Sequence, residues 1–393
     1  MSRSFVVNLF WAAFAVLVVA TGIGLASLWP RGDGVEPPPA LVRPETLRAE
    51  IVAIAAGSCP APGQQRCRLV TVELREGTEA GDRAELTVIE PADRLDLDVG
   101  DEVRLAENRL PPEAELGGVQ VERFSLADFE RRLPLLWLAL AFGVLVIALG
   151  RWQGLRALVG LGASLGIVVG FVAPAILDGR SPPAVAFVGS LGIMLVTLVV
   201  THGLGAKMLA AALGTACALA LTLGLGSLFI GVAHLTGFSS EEAIFLRTAA
   251  GSISIQGLLL AGMVIGALGV LDDLTVTQSS TVLALRRANP GLGFGGLFRG
   301  AIDVGHDHIA ATVNTLVLAY AGASLPVLLI FSLGDTSFGD AINSEAVAAE
   351  IVATLVGSIG LISAVPLTTA LAATLATRLD PTRIEDAHAG HAH

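Results

Sequence analysis

Charged residues are scarce in this chain. Only 15% of its 393 residues are Asp, Glu, Lys or Arg, whereas 53% are hydrophobic and the mean hydropathy is +0.72. A chain of this composition carries too much apolar surface to bury in an ordinary water-soluble fold. The composition therefore excludes a typical soluble enzyme or binding module and predicts a polytopic α-helical membrane protein.

Basic residues are also few, because 24 Lys and Arg stand against 35 Asp and Glu, giving a net charge of −11. Of the acidic residues, 21 fall between residues 31 and 132, against 13 arginines there, so the negative charge belongs mostly to one segment. Neither that segment nor the rest offers the basic surface that nucleic acid requires, so nucleic acid is not expected as a partner. No zinc-protease motif, P-loop or nucleophile elbow occurs in a suitable context, which makes an enzyme the least favoured class.

Cysteine is limited to three residues. Cys59 and Cys67 lie close together in the acidic segment, and Cys217 lies alone in an apolar run. If the acidic segment is outside the cytoplasm, a Cys59–Cys67 disulfide is favoured over two free thiols.

Long apolar runs, by contrast, are abundant. The run in residues 1–30 predicts a retained transmembrane anchor rather than a cleaved signal peptide, because it is long and lacks a clean cleavage site. Residues 126–378 predict seven more helices of about 20 residues, the length that crosses a bilayer. These expected spans are 134–150, 155–177, 184–201, 208–232, 254–271 with a helical extension, 309–331 and 347–377. About eight transmembrane helices are therefore expected.

A different pattern separates the first span from the second. Residues 31–45 are rich in proline and read as a linker, and residues 46–125 alternate apolar and polar positions between turn signals. We expect a small all-β domain of about five antiparallel strands, similar to an OB barrel. Residues 379–393 contain three histidines and read as a flexible tail.

The lysines and arginines of short loops predict the orientation. Most of them fall on one side if the spans alternate, including those of the 286–300 link. That side should be cytoplasmic, with both termini, and residues 31–132 should be extracytoplasmic. Gly162, Gly166 and Gly170 recur every four residues in one span, which predicts close helix packing.

Ionisable residues beside apolar helix make the region 262–320 the candidate functional site. Asp272 and Asp273 follow one apolar run, and a second helix carries Asp303, His306 and Asp307 at i, i+3 and i+4. Asn314 returns to nearly the same face, with Thr312 nearby. If the two segments form a hairpin, their carboxylates could surround a proton relay or a divalent cation. The alternative is that they are interfacial groups paired with Arg286, Arg287 or Arg299.

Three stretches of this region resemble the YibE/F family of bacterial integral membrane proteins. They are GALGVLDDLTVTQSSTVLALRRANP, the segment from residue 299 to 309, and TVNTLVLAYAGASLPVLL, and the similarity covers about residues 133–377. The resemblance implies a bacterial multi-span protein of the cytoplasmic membrane with an outer domain, for which transport is suspected. The positions that match are Gly266, Asp272 or Asp273, Asn289, Pro290, Asp307, Thr312, Asn314, Thr315 and Tyr320.

The sequence thus favours a permease-like protein with a cation- or proton-coupled pathway and an undefined substrate. A membrane scaffold that docks a cell-envelope protein through its outer domain is the alternative. The lipid bilayer is the expected partner, and self-association is left open. No cofactor is predicted, although the carboxylates could take a divalent cation.

Overall fold

The computed structural model describes residues 3–32, 46–57, 67–89, 96–108, 115–116, 119–120, 123–249, 251, 253–334 and 337–379. They fall into two compact units, one of residues 1–36 with 146–393 and one of residues 37–145. Cys59 lies outside the described residues, so the Cys59–Cys67 disulfide stays a prediction. The same holds for the linker and for nearly all of the tail.

The first unit is helical, because its segments are apolar on almost every face and can satisfy their backbone only internally. Its helices within the described residues are α1 (Arg3–Leu28), α2 (Arg132–Ile167, shared with the second unit), α3 (Ala173–Leu177), α4 (Pro182–His202), α5 (Ala206–Val232), α6 (Glu241–Ala249), α7 (Ile255–Ala288), α8 (Phe294–Ala323), α9 (Leu325–Leu333), α10 (Phe338–Asn343) and α11 (Glu345–Ala376). A π-helical turn, Val168–Val172, joins α2 to α3.

Helix α7 lies at the centre of the helical unit and packs against α4, α5, α8 and α11. Gly257 lies against Pro183 and Asp272 against Thr197, so α4 and α7 run in the same direction. Helix α11 is parallel to α4 and α7, whereas α5 and α8 are antiparallel to them. We call the end where α7 begins the Ser254 end and the end where it finishes the Arg286 end.

The number of spans depends on how one long apolar segment is counted. By length and composition, six helices of the described residues could cross a membrane, or seven if the bent pair α8–α9 is one span. That count takes Arg132–Leu177 as one segment, but its backbone is non-helical at Arg151, between the spans predicted at 134–150 and 155–177. The φ of 50° and ψ of −129° at Arg151 break the helix, and Gly154 lies against the carbonyl group of Val146. Residues eight apart in a straight helix would be about 12 Å apart, so the chain folds back here.

Glycine packing also differs from the prediction. Gly162, Gly166 and Gly170 are exposed, and a Cβ at any of them would meet no atom of the described residues within 4 Å. Close approach occurs instead at Gly189, where a Cβ would lie 2.7 Å from Val172. A Cβ at Gly226 would lie 2.6 Å from Leu260. These two glycines admit the neighbouring helix in the way that small residues do in membrane proteins.

The second unit contains a five-stranded antiparallel sheet in the order β3-β2-β1-β4-β7. Its strands are β1 (Thr46–Gly57), β2 (Cys67–Leu74), β3 (Arg83–Ile89), β4 (Glu102–Glu107) and β7 (Phe124–Phe129), with a two-stranded ladder of β5 (Glu115–Leu116) and β6 (Val119–Gln120). Alternate residues such as Ile51, Val72 and Leu105 build the core. On the sheet, the hydrogen bond and charge of Glu102 raise the pKa of Arg48. The predicted small antiparallel β domain is confirmed.

Candidate functional site

The second half of α7 carries three buried polar residues and a half-buried carboxylate. The helix begins at the Ser254 N-cap, whose hydroxyl oxygen accepts a hydrogen bond from the Gly257 amide, and it continues past Leu271 to Ala288. Thr275, Gln278 and Ser279 have no exposed surface, although all three follow the apolar part of the helix. The helical extension predicted after the apolar run is therefore present, and its polar side chains point into the protein.

Asp272 faces α4. Its Oδ2 accepts a hydrogen bond from the Thr197 hydroxyl at 3.3 Å, and the side chain is half-buried. Thr197 precedes the end of α4 by five residues, or about 8 Å of helix. Asp272 therefore lies within the packed helices, level with the interior of α4, and not beyond their end.

A pair of threonines lies beside Asp272. Thr215 of α5 and Thr275 of α7 share a hydrogen bond of 2.7 Å between their hydroxyl oxygens, and both side chains are fully buried. The Thr275 hydroxyl is also 3.2 Å from the Asp272 carbonyl oxygen. Hydroxyl groups both donate and accept, so this pair can adapt to either protonation state of a neighbouring carboxylate.

Gln278 lies on α7 about one and a half turns beyond Asp272 and links α7 to α8 and α11. Its amide nitrogen donates to the Ala301 carbonyl of α8 at 2.7 Å and to the Thr369 hydroxyl of α11 at 2.8 Å. Gly305 makes room for it, since a Cβ there would lie 3.1 Å from the same nitrogen. This contact fixes α8 and α11 against the Arg286 end of α7.

Four buried polar atoms of this region have no hydrogen-bond partner in the part of the chain that the structure describes. They are Oδ1 of Asp272, Oε1 of Gln278, Oγ of Ser279 and Oγ1 of Thr368. Each such atom costs about 1–3 kcal/mol unless something satisfies it. We name the set to which they belong the α7 polar cluster: Thr197, Thr215, Asp272, Thr275, Gln278, Ser279, Thr368 and Thr369. Its unsatisfied atoms are suited to a proton, water or a polar ligand.

The adjacent carboxylate is placed differently. Asp273 is exposed and forms no hydrogen bond or ion pair within the described residues. Consecutive helical residues point about 100° apart, so only Asp272 is directed at α4. The structure thus separates two carboxylates that the sequence left equivalent.

The predicted gathering of carboxylates from both segments is not found. Asp303, His306, Asp307 and Asn314 are all exposed on α8, and Thr312 bonds the His308 carbonyl of its own helix. The packed face of α8 is apolar and small, with Leu297, Ala301 and Gly305 at four-residue intervals. The acidic residues lie on the remaining faces and do not meet Asp272.

The alternative of interfacial ion pairs is not found either. Arg286 donates to the carbonyl oxygens of Pro290 and Leu292, and Arg299 donates to that of Gly295. Neither is paired with the four aspartates. Across the described residues, no three His, Cys, Asp or Glu side chains lie close enough together to hold a metal ion.

Other positions that carry the family resemblance have structural roles. The Tyr320 hydroxyl of α8 lies 3.3 Å from where a Cβ of Gly266 would be, and the partly buried Glu350 of α11 is near it. Asn289 caps α7, and its side-chain oxygen accepts from the Gly291 amide at 3.1 Å in the turn that contains Pro290. Thr315 donates to the Ala311 carbonyl of its own helix.

The sequence did not single out the threonines of the cluster. Thr197, Thr215 and Thr369 lie in three separate apolar helices, and only packing brings them to α7, while Thr368 of the third helix lies against Gly214 of α5. Gln278 was not singled out either, and the structure buries it completely. A signal was present in the hydroxyl-bearing residues themselves, because they recur inside otherwise apolar spans.

A family model described as YibE/F-like protein matches residues 138–378. No curated protein and no solved structure is detectably similar to the chain. The match spans α4 to α11 and includes every member of the α7 polar cluster. Because it covers more than half of the sequence, the chain belongs to the YibE/F-like family.

Proposed function

We propose that this protein is a proton-coupled permease of the bacterial cytoplasmic membrane, in which Asp272 carries the proton. The observation that supports this function best is the environment of Asp272. It is half-buried among apolar helices, Thr197 is its single side-chain partner among the described residues, and Oδ1 has none. An ionisable group kept in such a place is expected to be functional.

Protonation of Asp272 changes both its charge and its hydrogen-bonding capacity. The ionised carboxylate only accepts hydrogen bonds, whereas the protonated form also donates one. The hydroxyl of Thr197 can serve both forms by rotating. A proton taken up at Asp272 therefore changes the contacts between α4 and α7, which is the coupling that a transporter needs.

A proton accounts for the cluster better than a divalent cation. Calcium and magnesium require several oxygen ligands, usually with more than one carboxylate. Asp272 is the one carboxylate of the cluster, and its other members are neutral. Divalent-cation transport, which the sequence left open, is therefore not part of the proposal.

The exposed acidic residues of α8 receive a supporting role. Gly305 lies against Gln278, so Asp303, His306 and Asp307 are within about one turn of that level. Asp303 lies on the side of the Arg286 end, and His306 and Asp307 lie on the side of the Ser254 end. Exposed carboxylates and imidazoles exchange protons rapidly with water and raise the local supply of cations. In the proposal they deliver protons to the cytoplasmic mouth of the pathway. Asp273, Thr312 and Asn314 have no required role in it.

The test uses vesicles reconstituted with the full chain and an internal pH dye. An imposed pH gradient should drive dye acidification with wild-type protein and with Asp273→Asn, but not with Asp272→Asn. The two variants remove adjacent carboxylates of the same helix, so they control for insertion and helix stability. Equal rates for all three proteins would remove Asp272 from the function.

A membrane scaffold is the second candidate, and one observation favours it. Residues 37–145 form a compact unit with its own hydrophobic core and a five-stranded antiparallel sheet. Such a domain could dock a cell-envelope protein. Deletion of residues 31–132 should then abolish co-purification of that partner, whereas proton flux without the domain would favour the permease.

A further inference from the structure

A cavity opens at the Ser254 end of the helical unit, remote from the α7 polar cluster. Its volume is about 450 Å³, within the range of small-molecule sites in proteins. It lies between the turn before α4, the last turns of α5 and the first turn of α7. Its polar lining residues are Arg180, Ser181, Ser227, Ser254 and Gln256. Asp272 is 18 residues from Ser254, or about 27 Å along α7, so the cavity is a separate site.

Among the residues that the structure describes around the cavity, Arg180 carries the only charge. Its side chain forms no hydrogen bond or ion pair within the described residues, and its Nε is buried without a partner. The nearest acidic residue in sequence, Asp178, accepts a hydrogen bond from the Arg31 amide and does not pair with it. A guanidinium group with a buried, unused N–H lacks the acceptor that its chemistry requires.

The other groups around the cavity reinforce the positive potential. Helices α4 and α7 both begin here, so the positive ends of their dipoles face the same space. The hydroxyl groups of Ser181 and Ser227 have no partner among residues that the structure describes. They are therefore available as hydrogen-bond donors. Gln256 is occupied, because its nitrogen donates to the Leu235 carbonyl at 2.8 Å.

Membrane topology does not explain Arg180. Basic residues that anchor spans collect on the cytoplasmic side, and Lys207, Arg286 and Arg287 lie at the opposite end of the helices. Arg180 is at the Ser254 end, in a short turn between two apolar segments. Because Arg180 lies away from those anchors and lines a cavity, it is more simply a ligand-binding group than an orientation signal.

We infer that this cavity binds a small oxyanion, a carboxylate or phosphate group, through the Arg180 guanidinium and the hydroxyl groups of Ser181 and Ser227. Two N–H groups of arginine fit two oxygens of such an anion, and the helix ends favour its negative charge. The inference does not rest on proton transport, because the binding of an anion can be measured without flux. If the permease proposal holds, an oxyanion is the class of substrate that enters at this end.

The experiment measures binding of inorganic phosphate and of succinate to the purified full chain in neutral detergent by calorimetry, with sodium chloride at equal ionic strength as reference. Wild-type protein should bind at least one of them. Arg180→Gln should weaken binding about tenfold or more, as loss of a charged hydrogen bond predicts. Arg247→Gln is the matched control, because Arg247 is an exposed arginine at the same end that donates to the Gly251 carbonyl.

Two further variants guard against misfolding. Arg180→Lys keeps the charge and should bind with intermediate strength, and Ser227→Leu should weaken binding by filling the cavity. Repeating the titration in nanodiscs with and without phosphatidylglycerol identifies the occupant. If phosphatidylglycerol weakens binding of the added anion, the site takes a lipid headgroup. If binding is the same in both nanodiscs, the site takes a soluble anion. Absence of binding by the wild type above the chloride reference, or equal binding by Arg180→Gln, would overturn the inference.

Discussion

At the scale of single residues, position on α7 decides what a polar group can do. Asp272 and Asp273 are neighbours with the same chemistry, yet one is directed at Thr197 and the other is exposed. The sequence predicted that this region carries the site, but not which aspartate is buried. That distinction depends on the helical angle at which α4 meets α7, and no local pattern encodes it.

The clearest prediction at this scale concerns Gln278. Replacing it with Ala removes hydrogen bonds to α8 and α11 and leaves the Ala301 carbonyl and the Thr369 hydroxyl without that donor. We expect a loss of about 2 kcal/mol in the free energy of unfolding. Denaturant titration in detergent would measure it.

Ser280→Ala is the matched control. Its hydroxyl bonds only the Val276 carbonyl of its own helix, so the change should stay within about 0.5 kcal/mol. If both variants unfold alike, Gln278 does not link the three helices.

At the scale of elements, the sequence predicted the helices well and their faces poorly. The stop signal of Arg286 and Arg287 followed by Pro290 coincides with the end of α7 at Ala288. The acidic face of α8 was expected to turn inward, whereas its row of small residues packs and the acids are exposed. In a membrane protein, a helix face of small apolar residues allows close contact with a neighbouring helix. The free energy of that packing outweighs the attraction between polar groups on the other faces.

Glycine positions on two helices give opposite expectations. Gly305→Ala would place a Cβ 2.7 Å from Val365 and 3.1 Å from the Gln278 nitrogen, so we expect destabilisation of about 1–3 kcal/mol. Gly262→Ala meets nothing within 4 Å among the described residues and should be neutral or stabilise by up to about 1 kcal/mol. Thermal unfolding of both variants is the measurement. A larger loss for Gly262→Ala than for Gly305→Ala would show that α8 packs differently.

The break at Arg151 allows the same substitution to be compared at two arginines. Arg151 has a φ of 50°, a conformation that glycine adopts freely, so Arg151→Gly should stabilise the protein by about 1 kcal/mol. Arg156 lies in regular helix, where Arg156→Gly should destabilise by about 1 kcal/mol. The free energy of unfolding, measured in detergent, should rise for Arg151→Gly and fall for Arg156→Gly. Destabilisation of equal size at both positions would mean that α2 is continuous at Arg151.

At the scale of the whole molecule, composition predicted a helical membrane protein, and the alternating pattern of residues 46–125 predicted one small β domain. The break in the apolar segment Arg132–Leu177 was predicted as well, because Arg151 falls between the spans expected at 134–150 and 155–177. The sequence singled out Asp272 of the α7 polar cluster but not its threonines. The cluster draws on four helices that are distant in sequence, and only packing brings Thr197, Thr215 and Thr369 to α7.

Orientation is a prediction at the same scale. In a chain whose native cysteines are replaced by serine, Ser240→Cys should react with an impermeant thiol reagent in intact cells. Asn289→Cys should react only after the membrane is opened, because the arginines near it favour the cytoplasm. The reverse pattern would place the Ser254 end, and its cavity, inside the cell.

The central claim is that Asp272 binds and releases a proton. Infrared difference spectra of the purified protein, recorded over a pH titration, report the carbonyl band of a protonated carboxyl group directly. We predict a band from a buried carboxyl group that is present in wild type and in Asp273→Asn and missing in Asp272→Asn. The same band in all three proteins would contradict the account, because the proton would then reside on another group.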